Sequence, residues 1–222
     1  MPWVPNRESL VGRLLEPTWQ VAPQLERTIA LLAPGARICD LGAGGRRVRP
    51  GVVTVDLVAG PDTDIVADLH ALPLPERSFD LVVCTGTLNL CVDPKRVLSE
   101  AFRILSPGGL LHLETAMFQP YTPEPADYWR WTQAGVARIC AEAGFVEERA
   151  GSHIGPFTAL ASSALALTGA VFQGRGVMKK AARATSHAMF GPLKYLDALL
   201  SEDVMSRSPF SYGLYYVGRR VT

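Results

Sequence analysis

A glycine-rich turn and two acidic side chains stand where they can together hold a nucleoside. The apolar run 37–41 leads into segment 42–45, in which three of four residues are glycine. Glycine adopts positive φ and lets the backbone approach a ligand closely. Asp56 ends the next apolar run, where an ionised carboxylate accepts hydrogen bonds from both ribose hydroxyls. Asp68 follows the third run and can read the edge of an adenine, although a tight turn with surface or capping acids stays open for each feature alone.

Two known phosphate-binding patterns that also use glycine turns fit this turn poorly. A dinucleotide-binding fingerprint requires a third glycine at position 47, and Arg47 stands there. A phosphate-binding loop ends in Gly-Lys-Ser/Thr, which does not follow segment 42–45. The sequence therefore does not favour a pyrophosphate ligand, and a nicotinamide-dependent oxidoreductase is a weakened alternative.

The elements that position these residues alternate between strands and helices. Short, continuously apolar runs are typical of parallel strands that are covered on both faces. Helices with clear caps lie between them: Asp93 precedes Pro94, and Thr132 precedes a run that ends at Gly144. A further helix is predicted over 21–33. The alternation predicts an open α/β sheet, with strands at 37–41, 52–56, 64–66, 79–84, 109–114 and 145–150.

The last third of the chain has a different character. Residues 154–205 are rich in Ala, Leu and Gly and predict two or three helices, followed by a late, aromatic strand at 210–218. Residues 154–174 form a run of 21 residues without a charge, long enough to span a bilayer. Its small and hydroxylic residues make it a poor spanning helix. A packed helix over the site is favoured, ahead of a surface patch that contacts lipid or a hydrophobic substrate.

Composition narrows the function classes. The chain has 222 residues and a net charge of +1, which argues against a basic nucleic-acid-binding surface. Cys39 and Cys84 lie in apolar runs and are expected to be buried thiols in a reducing compartment. The absence of a Cys-x-x-Cys or His-x-x-x-His pair gives a metal site no support. With no signal-peptide pattern at the start, a cytoplasmic location is expected.

Four motifs in order give the sequence a family resemblance over residues 36–150. ARICDLGAGG, VTVDL, IVADLHALPLPERSFDLVV and DPKRVLSEAFRILSPGGLLHLE resemble the class I S-adenosylmethionine-dependent methyltransferases. The DYWRWT segment is similar to that of small bacterial methyltransferases of the type-11 domain group. Such enzymes are commonly encoded among genes for small-molecule or polysaccharide biosynthesis.

The resemblance implies a fold and a cofactor site. The fold would be a Rossmann-like, mostly parallel seven-stranded sheet with helices on both faces and a helical insertion before the last strand. S-adenosyl-L-methionine would be the cofactor, with its methionine part beside Asp40, Gly42 and Gly44. The remaining contacts are implied for the ribose at Asp56 and Leu57, the adenine at Asp68 and Leu69, and the sulfonium at Thr85 and Gly86.

The sequence departs from the family pattern twice. Only a short segment separates Gly45 from the second strand, so the crossover has room for one helical turn at most. Its arginines, Arg46, Arg47 and Arg49, are expected to be solvated, with contact to an acidic substrate as the alternative. The family's frequent Leu-Glu-His after the fourth strand is Leu-Asn-Leu at 88–90, so no role can be transferred from that histidine.

The acceptor is expected beside the aromatic segment 121–131. Tyr128 and Trp129 can close over a sugar or aromatic ring, with Arg130 near an acidic group; aromatic packing of a long loop is the alternative. A hydroxyl acceptor gains from a general base, and His153, after the sixth strand, is the candidate. His112 is expected to be a core residue. Nucleic-acid amino methylation is disfavoured, since Asp/Asn-Pro-Pro-aromatic is absent after the fourth strand.

The sequence thus predicts a methyltransferase acting on a small molecule, such as a natural product, sugar or lipid-like acceptor, with oxygen as the favoured acceptor atom and nitrogen or carbon left open. A single domain over 1–222 is expected, with N-terminal helices at 1–35, a cofactor-binding core at 36–153, a helical lid at 154–205 and a last strand at 206–222. No nucleic-acid partner is expected, while lipid contact through 154–174 and a homodimer are left open. A non-catalytic cofactor-binding partner subunit is the alternative from another class.

Overall fold

A computed structural model describes residues 24–122, 126–172, 176–206 and 208–221 of the chain. It divides into two compact units. The core unit comprises the described residues of Pro23–Ala116, Thr122–Gly151 and Leu214–Thr222, and the helical unit those of Met117–Tyr121 and Ser152–Gly213. Most of the predicted N-terminal helical region, residues 1–23, lies outside the described residues. The single-domain organisation stays a prediction.

Seven strands form one sheet in the order β3-β2-β1-β4-β5-β7-β6. The pairs β1–β2, β2–β3, β1–β4 and β4–β5 are parallel, and a hairpin at the end is antiparallel. This confirms the predicted Rossmann-like, mostly parallel sheet. The strands are β1 (Ile38–Leu41), β2 (Val53–Asp56), β3 (Ile65–Val66), β4 (Phe79–Thr85), β5 (Leu105–Ala116), β6 (Phe145–Ile154) and β7 (Gly213–Arg220).

The strand order reverses between β1 and β4. The chain leaves β1 for β2 and β3 on one side, then returns to β4 on the other. Asp40 lies in register with Thr54 of β2 and Val83 of β4. Ligands of open α/β sheets bind at such a switch point, outside the carboxyl ends of the strands. The acids and glycines singled out in the sequence belong to this edge.

The core unit has three helices, α1 (Gln24–Ile29), α2 (Pro94–Ile104) and α3 (Gln133–Glu142). Asp93 accepts the Arg96 N–H at 3.1 Å, and Thr132 accepts the Gly135 N–H at 3.1 Å. Both predicted caps are confirmed, because each side chain satisfies a donor that the first helical turn leaves unpaired. The crossover between β1 and β2 contains no helix, as its length predicts.

Apolar residues of the sheet form the core that fixes the strand ends. Ile38, Leu81, Val83 and Leu110 pack together with Ile29 of α1. Cys39 and Cys84 are buried as predicted, and burial raises the pKa of both thiols, that of Cys39 to about 12. The site therefore stands on a rigid, fully packed layer.

Several predicted bounds were wrong. β5 begins at Leu105 rather than 109, because segment 106–109 stays paired as a bulge: Phe79 faces Leu105, yet Leu81 faces Leu110. β6 continues to Ile154, and the last strand is Gly213–Arg220 rather than 210–218. α1 ends at Ile29 rather than at 33, since Pro34 and Gly35 require a turn before β1, while 21–23 of the predicted helix lie outside the described residues.

The helical unit contains α4 (Pro156–Val171), α5 (Val177–Phe190), a 3-10 segment (Gly191–Leu199) and α6 (Glu202–Ser206). The buried carboxylate of Asp197 accepts the N–H groups of Phe157 and Thr158, each at 2.9 Å, at the start of α4. It replaces the local cap that Gly155 cannot provide. Within the part of the chain that is described, every helix is too short or too polar to cross a bilayer.

Candidate active site

The glycine turn after β1 has the conformation that its sequence predicts. Gly42, Gly44 and Gly45 have φ of +76°, +64° and +71°. The N–H groups of Gly42 and Ala43 donate to Val55 O at 2.8 and 3.3 Å, which holds the turn against β2. Thr87 Oγ1 donates to Gly42 O at 3.1 Å from the other side. The turn is therefore fixed between β2 and the segment that follows β4.

Asp56 holds the glycine turn and the end of its own strand. Its Oδ2 accepts the Gly44 N–H at 2.7 Å, and its Oδ1 accepts the Val58 N–H at 3.0 Å. The side chain is half-buried, while Leu57 beside it is exposed. A carboxylate oxygen accepts more than one hydrogen bond. Asp56 thus keeps acceptor capacity for two neighbouring hydroxyls.

Asp40 is a buried carboxylate whose charge is not satisfied within the described residues. Its exposed fraction is 1%, and neither oxygen has a hydrogen-bond partner among the residues that the structure describes. Burial raises the pKa of Asp40 to about 6, and the nearby Arg46 guanidinium opposes this shift. A buried polar group without a partner is costly and points to a ligand that supplies one.

Arg46 extends from the glycine turn to the end of β4. Its Nη2 donates to Thr85 Oγ1 at 3.1 Å. Arg46 is exposed, as expected, and the short crossover in addition leaves its side chain within hydrogen-bond distance of β4. Gly86, with φ of +70°, then directs the chain away from the strand, and its N–H donates to Glu114 O at 2.8 Å. Sequence reasoning did not include Arg46 in the cofactor site, although its position directly after the glycines was a usable signal.

The expectation of a solvated arginine was wrong for Arg47, which has a structural role. Its guanidinium contacts the Asp64 carboxylate at 2.7 and 2.8 Å and donates to Val52 O. The Arg47 hydrogen bond holds the pKa of Asp64 well below its usual range. Arg47 thus ties the short crossover to the segment before β3, in the position where a dinucleotide-binding turn needs glycine. Arg49 is exposed, as expected.

Asp68 lies in a polar turn after β3. Its Oδ1 accepts the His70 N–H at 2.9 Å and contacts His70 Nδ1 at 2.6 Å. His70 Nε2 accepts the Asp93 N–H at 3.2 Å, so Nδ1 carries the proton donated to Asp68. The backbone hydrogen bond from His70 lowers the pKa of Asp68. Leu69 between them is buried, while the Asp68 carboxylate is exposed.

The aromatic segment is fixed by an ion pair between Arg130 and Asp127. Arg130 contacts both Asp127 oxygens at 2.5 Å, and the Asp127 side chain is fully buried. Asp127 also accepts the Thr122 N–H at 3.0 Å and Asn89 Nδ2 at 3.3 Å. These donors, with Arg130 first, lower the pKa of Asp127 to about 2. The positive charge of Arg130 is therefore compensated within the segment.

Asn89 connects this segment to the end of β4. Its backbone carbonyl oxygen accepts the N–H groups of Tyr128 and Trp129 at 2.9 and 3.2 Å. Trp129 Nε1 donates to Cys91 O at 2.8 Å, and its ring stacks on Trp131 with 5.7 Å between centroids. Tyr128 and Trp129 remain 54% and 40% exposed. Asn89, in the place of the family's glutamate, thus positions an accessible aromatic surface, which the sequence alone did not indicate.

The two buried histidines, His112 and His153, lie in different units. His112 of β5 is buried, as expected, with Nδ1 2.9 Å from Thr28 Oγ1 and Nε2 3.1 Å from Glu114 Oε1. His153 is buried within β6 rather than in a loop after it, and belongs to the helical unit. Gly213 packs on its ring, since a Cβ there would be 2.8 Å from His153 Cε1. The role of His153 as a base stays a prediction.

Most of the predicted cofactor residues meet at one edge of the core unit. The glycine turn, Asp56 and Thr85 are joined by the contacts above, with Asp40 in the strand before the turn and Asp68 after the neighbouring strand β3. The arrangement defines an α/β protein whose candidate site lies at the β1/β4 switch point.

Comparisons with known proteins agree with this class. Residues 47–113 match the family model of a methyltransferase domain. A demethylmenaquinone methyltransferase of Renibacterium salmoninarum is 36% identical over 95 residues, which are 35% of this chain and 40% of that protein. A ubiquinone biosynthesis O-methyltransferase of Xanthomonas campestris is 31% identical over 106 residues, 37% of this chain and 44% of that protein. The chain thus spans less than half the length of these relatives.

Solved structures resemble the fold. One is the 1,6-didemethyltoxoflavin-N1-methyltransferase of Burkholderia thailandensis, with bound 1,6-didemethyltoxoflavin and S-adenosylhomocysteine. It matches with a TM-score of 0.57 and 15% identity over 91% of this chain and 78% of that one. The motifs, the sheet and these matches support a class I S-adenosylmethionine-dependent methyltransferase, with the family similarity itself located at residues 47–113.

Proposed function

We propose that the chain transfers a methyl group from S-adenosylmethionine to a small molecule. The observation that carries the proposal is the buried, unpartnered Asp40 carboxylate beside the glycine turn and Arg46. A carboxylate and a guanidinium at one place suit the ammonium and carboxylate of an amino acid. The methionine part of the cofactor has both groups.

The remaining residues fit the nucleoside part. Asp56 keeps acceptor capacity for the two ribose hydroxyls. Asp68 and Leu69 would hold the adenine, and Thr85 and Gly86 would lie along the sulfonium. Gly42 supports close packing, since a Cβ there would be 2.3 Å from Thr87 Oγ1. The set thus suits a flat, hydroxylated, zwitterionic ligand.

When bound, the cofactor supplies a methyl group activated by a sulfonium. A lone pair of the acceptor forms the new bond to the methyl carbon, and the electron pair of the breaking bond passes to sulfur. The chain has to align the acceptor in line and exclude water, which provides several orders of magnitude in rate. A fixed crevice on a rigid sheet meets the first of these needs.

We further propose an uncharged ring acceptor that is methylated at oxygen. Tyr128 and Trp129 offer exposed aromatic surface for a ring. Because Asp127 compensates Arg130, the segment offers little net charge to an acidic group, which favours an uncharged ring. Two of the relatives are named for ubiquinone and menaquinone biosynthesis, which agrees with a ring acceptor.

Calorimetric titration tests the cofactor assignment. S-adenosylhomocysteine is expected to bind with micromolar affinity and NAD to give no heat. Asp56→Ala is expected to remove the binding, because both ribose hydroxyls lose their acceptor. Asp62→Ala, a carboxylate whose side chain does not meet the glycine turn, serves as control and should bind like the wild type. Heat from NAD, or binding that survives Asp56→Ala, would count against the proposal.

His153 is proposed as the base for an oxygen acceptor. His153→Ala and His153→Gln are expected to lower turnover roughly 10²–10⁴-fold while S-adenosylhomocysteine still binds. His187→Gln in the same unit, where the imidazole contacts only its own helix turn at Arg183 O in the described structure, is the control. Unchanged turnover in a folded His153→Gln protein would remove the assignment.

A further inference from the structure

Helices α4 and α5, here called the helical hairpin, expose large apolar side chains. On α4 the exposed positions recur three or four residues apart and so share one face. The large members are strongly exposed: Leu167 and Val171 are each 65% accessible, and Val177 and Met178 at the start of α5 are 84% and 73% accessible. The exposed α4 face consists of Leu160, Ser163, Ala166, Leu167, Ala170 and Val171.

Hydroxyl groups of the hairpin form hydrogen bonds within the hairpin itself. Thr168 Oγ1 lies 2.9 Å from Ser186 Oγ and joins the two helices. Ser163 Oγ donates to Ala159 O at 2.8 Å. Asp197 holds the first turn of α4 through Phe157 and Thr158. The hairpin is therefore an internally fixed platform that presents its apolar residues outward.

The charge of this region is entirely of one sign. Residues 149–196 contain no Asp or Glu, so all 21 acidic residues lie elsewhere in the chain. The hairpin and its connection carry four cations, Arg175, Lys179, Lys180 and Arg183. Of these, Lys180 and Arg183 are seen to be exposed on α5. Positive charge without compensating acidic residues thus lies in the same segment as these exposed apolar side chains.

We propose that the helical hairpin docks in the plane of an anionic lipid bilayer. Apolar side chains on one helical face, flanked by lysine and arginine, are the combination that binds the interface of membranes with acidic headgroups. α4 has 16 residues and cannot cross the bilayer, so it lies on the surface.

A second copy of the chain fits this surface less well. A twofold interface places a patch against itself, so the cations of one hairpin would face those of the other. No acidic residue within 149–196 could compensate them. An anionic headgroup layer supplies the opposite charge, whereas a neutral protein surface would not.

Co-sedimentation with lipid vesicles tests the proposal. The full chain is expected to bind vesicles of phosphatidylcholine with phosphatidylglycerol at least tenfold more strongly than phosphatidylcholine alone, and added salt should weaken the binding. Leu167→Asp/Val171→Asp and Lys180→Glu/Arg183→Glu are each expected to lower the bound fraction tenfold or more. The matched controls lie in the core unit and should bind normally: Leu31→Asp/Val146→Asp for the apolar pair and Arg49→Glu/Arg77→Glu, two exposed arginines, for the charged pair.

Three results would overturn the proposal. The first is no binding of the folded wild type to anionic vesicles, and the second is equal loss in the hairpin variants and their core-unit controls. The third is a wild-type dimer in light scattering that Leu167→Asp/Val171→Asp dissociates while vesicle binding is unchanged. That last result would assign the hairpin to contact between copies.

Discussion

Replacing Asp40 by Asn is expected to stabilise the protein and to weaken cofactor binding in the same variant. The folded chain holds the Asp40 carboxylate in a buried position without a hydrogen-bond partner among the described residues, and burial raises its pKa from 3.8 to about 6. A shift of about two pKa units corresponds to roughly 3 kcal/mol that the ionised group costs the folded state. Asn removes that charge, so the free energy of unfolding at pH 8 should rise by up to about that amount.

The stabilisation is expected to depend on pH with a defined sign. Above about pH 6 the wild-type group is ionised in both states, and the full penalty applies. As the pH falls from 6 towards 4, the folded protein takes up a proton that the unfolded chain does not yet bind, so wild-type stability rises relative to Asp40→Asn. Denaturant unfolding at a series of pH values should show the two proteins converging near pH 4.

The same substitution should weaken S-adenosylhomocysteine binding roughly 10–100-fold, because a hydrogen bond to a charged partner contributes about 1.5–3 kcal/mol. Wild-type affinity should fall as the pH drops through 6, where the carboxylate is protonated. Asp62→Asn changes the net charge equally and is the control for both measurements. A variant that is less stable at pH 8 and binds normally would show that Asp40 is a structural residue.

Gly42→Ala is expected to destroy the cofactor site. The new Cβ would be 2.3 Å from both Thr87 Oγ1 and Thr87 Cγ2, and φ at this position is +76°. Either the turn or the segment after β4 must move, at a cost of roughly 2–4 kcal/mol in unfolding free energy. S-adenosylhomocysteine binding should become undetectable by calorimetry, since the displaced turn carries the Gly44 N–H that holds Asp56.

Gly35→Ala separates the steric effect from the conformational one. Gly35 has φ of +82°, but a Cβ there would meet nothing within 4 Å. It should cost only about 1–2 kcal/mol for the left-handed backbone and leave binding unchanged. Equal effects of the two substitutions would mean that the contact with Thr87 does not shape the crevice.

The fold followed closely from local signals. Continuous apolar runs predicted parallel strands, and Asp93 and Thr132 marked helix starts because each cap acts within one turn of its own helix. The start of β5 did not follow, because Ser106-Pro107-Gly108-Gly109 reads as a helix stop. Only pairing with β4, a contact distant in sequence, keeps it in the sheet as a bulge.

The site was predictable where residue type alone restricts the chemistry. Positive φ at Gly42 and Gly44 and carboxylates at strand ends are visible in a sequence. The hydrogen-bond and ion-pair partners of the site residues could not be predicted from the sequence. Arg46 reaches Thr85, Arg47 pairs with Asp64, and Asp127 compensates Arg130 through the geometry of turns, which composition does not specify. Asn89 gained its role only because the aromatic segment folds back onto it.

A crystal structure of the chain with S-adenosylhomocysteine tests the central claim most directly. The ligand is expected across the carboxyl ends of β1, β2 and β4, with its ammonium within hydrogen-bond distance of Asp40 and its ribose hydroxyls on Asp56. Ligand density at any other place, or a full crevice from which both carboxylates point away, would contradict the account.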